Sequence, residues 1–162
     1  MTEPFRRIVT GHDAGGLAIV KSVDTFTPRR IPSGDADFAQ VWTTASVPAD
    51  NNDESDGGKR DVGLTLRGGS AIRVVDMLPG RQSPMHRTYS LDFGIIMSGE
   101  LELELDGGQV QKLRAGDIVV QRGTNHLWRN PSRDTICRIV FVLIEAPPVS
   151  VAGRLLPEVQ PH

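Results

Sequence analysis

The segment Glu100-Leu101-Glu102-Leu103-Glu104-Leu105 alternates carboxylate and hydrocarbon at every step, and it constrains the fold of this chain more than any other stretch. Successive side chains of a strand point to opposite faces, so a strand places the three leucines on one face and the three glutamates on the other. A helix would scatter them around its circumference. Glu and Leu are good helix formers, so intrinsic propensity opposes the periodicity. Asp106-Gly107-Gly108 decides the matter as a hairpin signal, because Gln109-Val110-Gln111-Lys112-Leu113 resumes the alternation after it. Two antiparallel strands are predicted, with leucines on the core and glutamates as a solvated sheet face.

The rest of the chain follows the same grammar. Its 162 residues suit one domain, and 17 Gly with 11 Pro favour short elements and tight turns over long helices. Strands are predicted at Phe5 to Val9, Leu17 to Lys21, Phe38 to Thr44, Val62 to Leu66, Ala71 to Leu78, Phe93 to Ser98, Asp117 to Gln121 and Ile136 to Ile144. Ser46 to Arg60 lacks apolar periodicity and reads as a solvated, mobile loop; a lid over a barrel mouth is the less favoured role for it. Only Val151 to Val159 offers a short helical turn, limited by Pro157. The expectation is a single all-β domain over 1–162, a sandwich or small barrel with a pocket in its mouth. Its parts are N-terminal strands and loop (1–60), a barrel (61–146) and a C-terminal tail (147–162).

Composition removes several function classes. Eighteen Lys and Arg stand against 20 Asp and Glu, a formal charge of −2, and no basic tract is present to neutralise phosphates, so nucleic acid is not expected as a partner. The longest apolar run, Ile139 to Ile144, is far shorter than the ~20 residues of a membrane helix, and Met1 to Arg7 is charged with no hydrophobic run behind it. A soluble, cytoplasmic protein is expected. The single cysteine, Cys137, forms no internal disulfide and no thiolate cluster, so a metal here would need His and oxygen ligands.

Of the four histidines, His12 sits in a glycine-rich turn and His162 is the last residue. His86 and His126 lie in two segments of similar form, Gly80 to Asp92 and Gly116 to Asn130. By strand parity His86 faces with Thr88, and His126 with Trp128 and Asn130. Were pairing to bring His86, Asp92 and His126 together, they would offer two imidazoles and a carboxylate, the ligand set of facial non-haem iron and related sites. The same groups also suit acid and base roles, or simple mutual hydrogen bonding in a polar core. Of Arg73, Arg87, Arg129 and Arg138, one facing inward would pair with a substrate carboxylate.

The spacing of these segments resembles the cupin superfamily. Its first motif runs glycine, five residues, His-x-His, three or four residues, Glu, six residues, glycine. Here Gly80 is followed after five residues by His86, Thr88 stands at the second His, Asp92 at the Glu, and Gly99 closes the pattern. The second motif runs glycine, about five residues, Pro-x-Gly, two residues, His, three residues, Asn. Here Gly116 is followed by four residues, Gln121 replaces the proline, and Gly123, His126 and Asn130 keep their places. Thr88 is a weaker ligand than imidazole, and Asp92 is one methylene shorter than Glu.

The resemblance implies a cupin-type jelly-roll barrel and a small-molecule enzyme, with a divalent metal (Fe, Mn, Ni or Zn) on His86, Asp92 and His126. It would act as a metal-assisted lyase, decarboxylase or dehydratase, or as a dioxygenase, on an oxygenated acid or carbonyl compound. Two alternatives accompany it: a metal-free enzyme using His86 or His126 for proton transfer, with Tyr89 or Asp92 orienting a bound oxygen, and a non-catalytic module binding a small ligand. Thr88, Trp128 and Trp42 are the candidate pocket wall. Cupin-like proteins are commonly dimers, and dimerisation would cover exposed edge strands.

Overall fold

The computed structural model describes residues 2–63 and 67–160. Among them the strands are, in chain order, β1 (Phe5–His12), β2 (Ala18–Phe26), β3 (Arg29–Arg30), β4 (Ala36–Thr43), β5 (Ser70–Met77), β6 (Ser90–Ser98), β7 (Glu100–Leu105), β8 (Val110–Arg114), β9 (Ile118–Arg122), β10 (His126–Arg129), β11 (Cys137–Glu145), β12 (Ser150–Val151) and β13 (Arg154–Leu155). One short 3-10 turn, Gly57–Lys59, interrupts them. A six-stranded sheet has the order β3-β4-β5-β11-β6-β9, a three-stranded sheet the order β10-β7-β8, and β1-β2 and β12-β13 pair among themselves. All pairings between these strands are antiparallel.

The alternation in β7 does what its period demands. Leu101 and Leu103 are buried, while Glu102 and Glu104 face outward. The turn to β8 is closed by the Gly108 amide donating to the Leu105 carbonyl at 2.8 Å, with Gly108 at φ 78°. Glu100 and Glu102 stand opposite Arg114 and Lys112 across the ladder. The outer face carries more than solvent, because Arg129 of β10 reaches Glu102 at 3.1 Å and Glu104 at 2.7 Å.

The core lies between the two larger sheets. Ala36, Met77, Ile96, Cys137 and Ile139 come from the six-stranded sheet, and Leu101, Leu103, Leu113 and Trp128 from the three-stranded one. The chain before β6 extends the smaller sheet. His86 and His126 form an antiparallel bridge, as do Gln82 and Arg129, and Arg87 bridges in turn to Val159 of the tail. The motif segments therefore run side by side.

Two expectations change. The tail over Val151 to Val159 forms no helical turn; Ala152 (φ 49°) and Gly153 (φ 77°) fold it into the β12-β13 turn. The Ser46 to Arg60 loop is exposed over most of its length but tied at its end, because Asp56 pairs with Arg7 of β1 and Thr43 donates to the Gly57 carbonyl at 2.7 Å. Of the strand predicted over Val62 to Leu66, residues 64–66 lie outside the described residues, as does His162. Among the described residues no helix is long and apolar enough to cross a membrane.

Candidate functional site

The bridge between His86 and His126 exchanges both backbone hydrogen bonds, at 2.8 and 2.9 Å. That pairing fixes the imidazoles with ring centroids 4.3 Å apart and planes 50° apart. Each ring is held the same way. His86 Nδ1 lies 2.9 Å from the Pro84 carbonyl and His126 Nδ1 lies 2.9 Å from the Thr124 carbonyl. The Pro84 carbonyl only accepts, so His86 Nδ1 carries a proton there, and the Thr124 carbonyl asks the same of His126 Nδ1 against the Gln121 amide nitrogen 3.0 Å away. No described residue hydrogen-bonds to either Nε2.

His126 is buried and His86 half-buried. Burial, and then the proximity of a positive His86, pushes the His126 imidazole down to about 4, with the Thr124 carbonyl opposing. His126 is therefore neutral across the physiological range. The edge of Trp128 meets its ring at a centroid distance of 5.5 Å, and Phe141 continues the aromatic wall 5.3 Å beyond. Gly94 keeps that wall close, since a Cβ there would lie 3.1 Å from the Phe141 ring.

Asp92 goes elsewhere than the resemblance implies. It is 6% exposed on the inward face of β6, in register with Gln121 of β9, and its Oδ1 is buried with no hydrogen-bond partner. Such an atom costs about 1–3 kcal/mol unless something fills its need. Burial raises the carboxyl to about 6, against the hydrogen bond from Ser90 and the positive charge of Arg73. The charge acting on Asp92 is thus Arg73 on β5, itself 5% exposed, and not an imidazole. Arg73 donates to the Gly63 carbonyl at 2.7 Å and packs over the Phe38 ring. Of the four arginines considered from sequence it is the inward one; Arg87, Arg129 and Arg138 pair with Asp106, with Glu102 and Glu104, and with Asp76.

The donor set does not fit a facial metal centre. Among the described residues no three His, Cys, Asp or Glu side chains lie together so as to hold a metal. The two imidazoles converge, but Asp92 does not complete a metal-holding group with them, and the charge acting on it is that of Arg73. The sequence places Asp92 at a ligand position by spacing alone, and spacing says nothing about which cross-strand neighbour attracts the side chain.

The other candidates divide. Trp128 lies against His126, whereas Trp42 lies under Arg7, its ring 5.4 Å from the guanidinium carbon, beside a cavity lined by the 49–56 loop. The bulge between Gln40 and Trp42 pairs Trp42 with Ile72 and so breaks its parity with Phe38 and Gln40, the partners of Val75 and Arg73. Tyr89 is committed to the tail, its hydroxyl accepting from the Glu158 amide at 3.0 Å. Thr88 exchanges a 2.8 Å hydroxyl hydrogen bond with Ser90 and lines a cavity of about 170 Å³ with Tyr89 and Arg122.

Gln121 was not among the candidates. Its Nε2 lies 3.0 Å from His126 Nδ1 and donates to the Thr124 carbonyl at 3.1 Å and to the Thr124 hydroxyl. It thereby locks the turn that orients His126. A lone polar residue sharing strand parity with Val119 was the available signal.

A family model described as a cupin domain matches residues 73–143, which include both histidines. Protein C' of the phomopsin biosynthesis cluster of Diaporthe leptostromiformis is 41% identical over 157 residues, 93% of this chain and 83% of that protein. A cupin-domain-containing oxidoreductase of Neurospora crassa is 33% identical over 159 residues, 96% of this chain and 81% of that protein. Among solved structures, a Cupin 2 conserved barrel domain protein of Salinispora arenicola aligns with a TM-score of 0.50 at 19% identity, over 74% of this chain and 82% of that one, a likeness of fold alone.

Proposed function

The chain belongs to the cupin family, and from that premise we propose that it is a small-molecule enzyme whose chemistry is proton transfer by the His86–His126 pair. The observation that carries this reading is the shared arrangement of the rings, each Nδ1 fixed on a carbonyl and each Nε2 left to a ligand. The roles differ by environment. His126, neutral and weakly basic, accepts a hydrogen bond from substrate and holds it. His86, the half-buried ring, moves the proton, because its Nε2 has no hydrogen-bond partner among the described residues and the ring keeps solvent access. Substrates of this chemistry are hydroxy-carbonyl compounds, and the reactions are isomerisation or dehydration through loss of a proton beside the carbonyl. Relatives named for a phomopsin biosynthesis cluster support a place in the making of a small natural product.

A metal-assisted oxidation is the second reading. Relatives named as oxidoreductases support it, and so does the tethering of both Nδ1 atoms to carbonyls, which imidazole ligands keep. It needs a further donor that His86 and His126 do not supply.

Deuterium uptake from D2O by small hydroxy-ketones and hydroxy-acids, followed by NMR, tests the first reading. Exchange at the carbon beside the carbonyl is expected, falling about a hundredfold or more in His86→Gln. Near-stoichiometric iron, manganese, nickel or zinc in protein purified without added metal, lost in His126→Ala, would overturn it in favour of the second. The proposal extends to a cytoplasmic homodimer. The buried Cys137 thiol suits a reducing compartment, and exposed Ile118 and Val120 on the edge strand β9, with Met97, offer the apolar edge that a second copy would cover.

A further inference from the structure

Asp92 Oδ1 is a buried acceptor on the inward face of β6 to which no described residue donates a hydrogen bond. Its neighbours explain where the missing partner must lie. Ser90, Asp92, Gly94 and Ile96 are the inward residues of β6, all buried. Ser90 turns to Thr88 and to the Asp92 carboxyl, and Gly94 leaves open the space that a side chain would take beside Phe141. Across the ladder stands Gln121, whose amide is spent on Thr124 and lies against His126. Directly opposed side chains on one sheet face stand about 5 Å apart at Cβ, so Asp92, Gln121 and His126 form a continuous inward row. Asp92 Oδ1 is thus an acceptor, buried and without a donor, one residue removed from the imidazole pair.

We infer that Asp92 Oδ1 accepts a hydrogen bond from a hydroxyl group of the substrate, forming a recognition subsite that selects molecules carrying a hydroxyl next to the group presented to His126 and His86. Arg73 serves the subsite from the far side, its positive charge favouring the carboxylate that does the accepting. A site built to satisfy a buried polar atom discriminates strongly against an analogue that leaves it unpaired, so an ether or ketone at this position is excluded where an alcohol is admitted. This inference rests on the imidazole pair being the reacting centre, and it assigns Asp92 a role distinct from metal ligation.

Crystals of the full chain soaked separately in 2-propanol and acetone test it, since the two probes have nearly the same shape and only the alcohol donates. The expected result is 2-propanol with its oxygen about 3 Å from Asp92 Oδ1 and no acetone there. In Asp92→Leu the alcohol is lost while the His86 and His126 rings keep their places. Should that variant fail to fold, Asp92→Asn, whose amide both accepts and donates, is expected to lose the discrimination and admit acetone beside the alcohol. Equal occupancy by acetone in the wild type, an ordered water that 2-propanol does not displace, or an alcohol that persists in Asp92→Leu each overturns the inference. Because the soak reads position and not turnover, failure at Asp92 leaves deuterium exchange by the histidines intact, whereas failure of the histidine reading shows as absent exchange with the alcohol still bound at Asp92.

Discussion

His86 and His126 face each other across a single pair of backbone hydrogen bonds, and each ring is held by its own Nδ1 contact with a main-chain carbonyl, Pro84 for one and Thr124 for the other. Substituting one ring therefore leaves the other in place, and their roles can be separated kinetically. His86→Gln is expected to lower kcat by about two orders of magnitude with KM little changed, because it removes the group that moves the proton. His126→Gln is expected to raise KM with a smaller effect on kcat. Ring NMR supplies an independent check: His126 should show no protonation from pH 8 down to pH 5.5 and should titrate at about 4. A His126 ring that charges near pH 6.5 would contradict its placement.

Stability should carry the same signature. His126 is lowered from 6.5 to about 4 on folding, so between these values the unfolded chain binds the extra proton and stability falls as pH falls. Asp92 is raised from 3.8 to about 6, so between those values the folded chain binds the extra proton and stability falls as pH rises. Each shift is worth about 3 kcal/mol, and the two windows overlap with opposite slopes. Between pH 6 and pH 4 they offset one another in the wild type. Asp92→Asn should then lose about 3 kcal/mol relative to wild type on going from pH 6.5 to pH 4, and His126→Gln should gain a similar amount. Urea denaturation at several pH values measures both; parallel pH profiles for the three proteins would refute the pairing of slopes.

Arg7 fastens the N-terminal hairpin and the 46–60 loop to the barrel. Its guanidinium reaches Asp24 and Asp56 at 2.7 Å each and the Val41 carbonyl at 3.2 Å, and lies over the rings of Phe26 and Trp42. The arginine itself is 8% exposed but its carboxylate partners keep solvent contact, which reduces what the pairs contribute. Arg7→Leu is expected to cost about 2 kcal/mol in urea denaturation and to open the loop to proteolysis between Ala49 and Ser55. Arg7→Lys should not restore it, because an ammonium cannot fork between two carboxylates.

The barrel was legible in the sequence because its signals are local and periodic. Leu101 and Leu103 declared a buried face, and Gly108 declared the turn. The two histidines were legible through spacing, since strand parity fixes which residues share a face. What was hidden depends on pairs distant in sequence. Asp92 meets the charge of Arg73 because β6 and β5 flank β11, an order no local pattern reveals. Trp42 left the barrel interior through a bulge that shifts parity by one residue, and Tyr89 was drawn to a tail read as helical. Gln121 looked like a departure from a motif, although its amide is what holds His126 in its turn.

Gly99 closes the first motif for two separable reasons. It adopts φ 77°, and a Cβ there would lie 2.7 Å from the Ile136 carbonyl oxygen and 2.9 Å from the Cys137 Cα, both backbone atoms that cannot swing aside. Gly108, in the hairpin between β7 and β8, has a nearly identical φ of 78° but no atom within 4 Å of its Cβ position. Gly108→Ala thus measures the cost of the left-handed backbone alone, about 1 kcal/mol. Gly99→Ala adds the collision with the start of β11, whose Cys137 and Ile139 are fully buried and have no room to retreat. A loss of about 3 kcal/mol or more is expected for Gly99→Ala in urea denaturation, at least twice that of Gly108→Ala. Equal losses in the two variants would mean that the turn from β6 to β7 can move away from β11, and the close approach would then have no part in fixing the glycine.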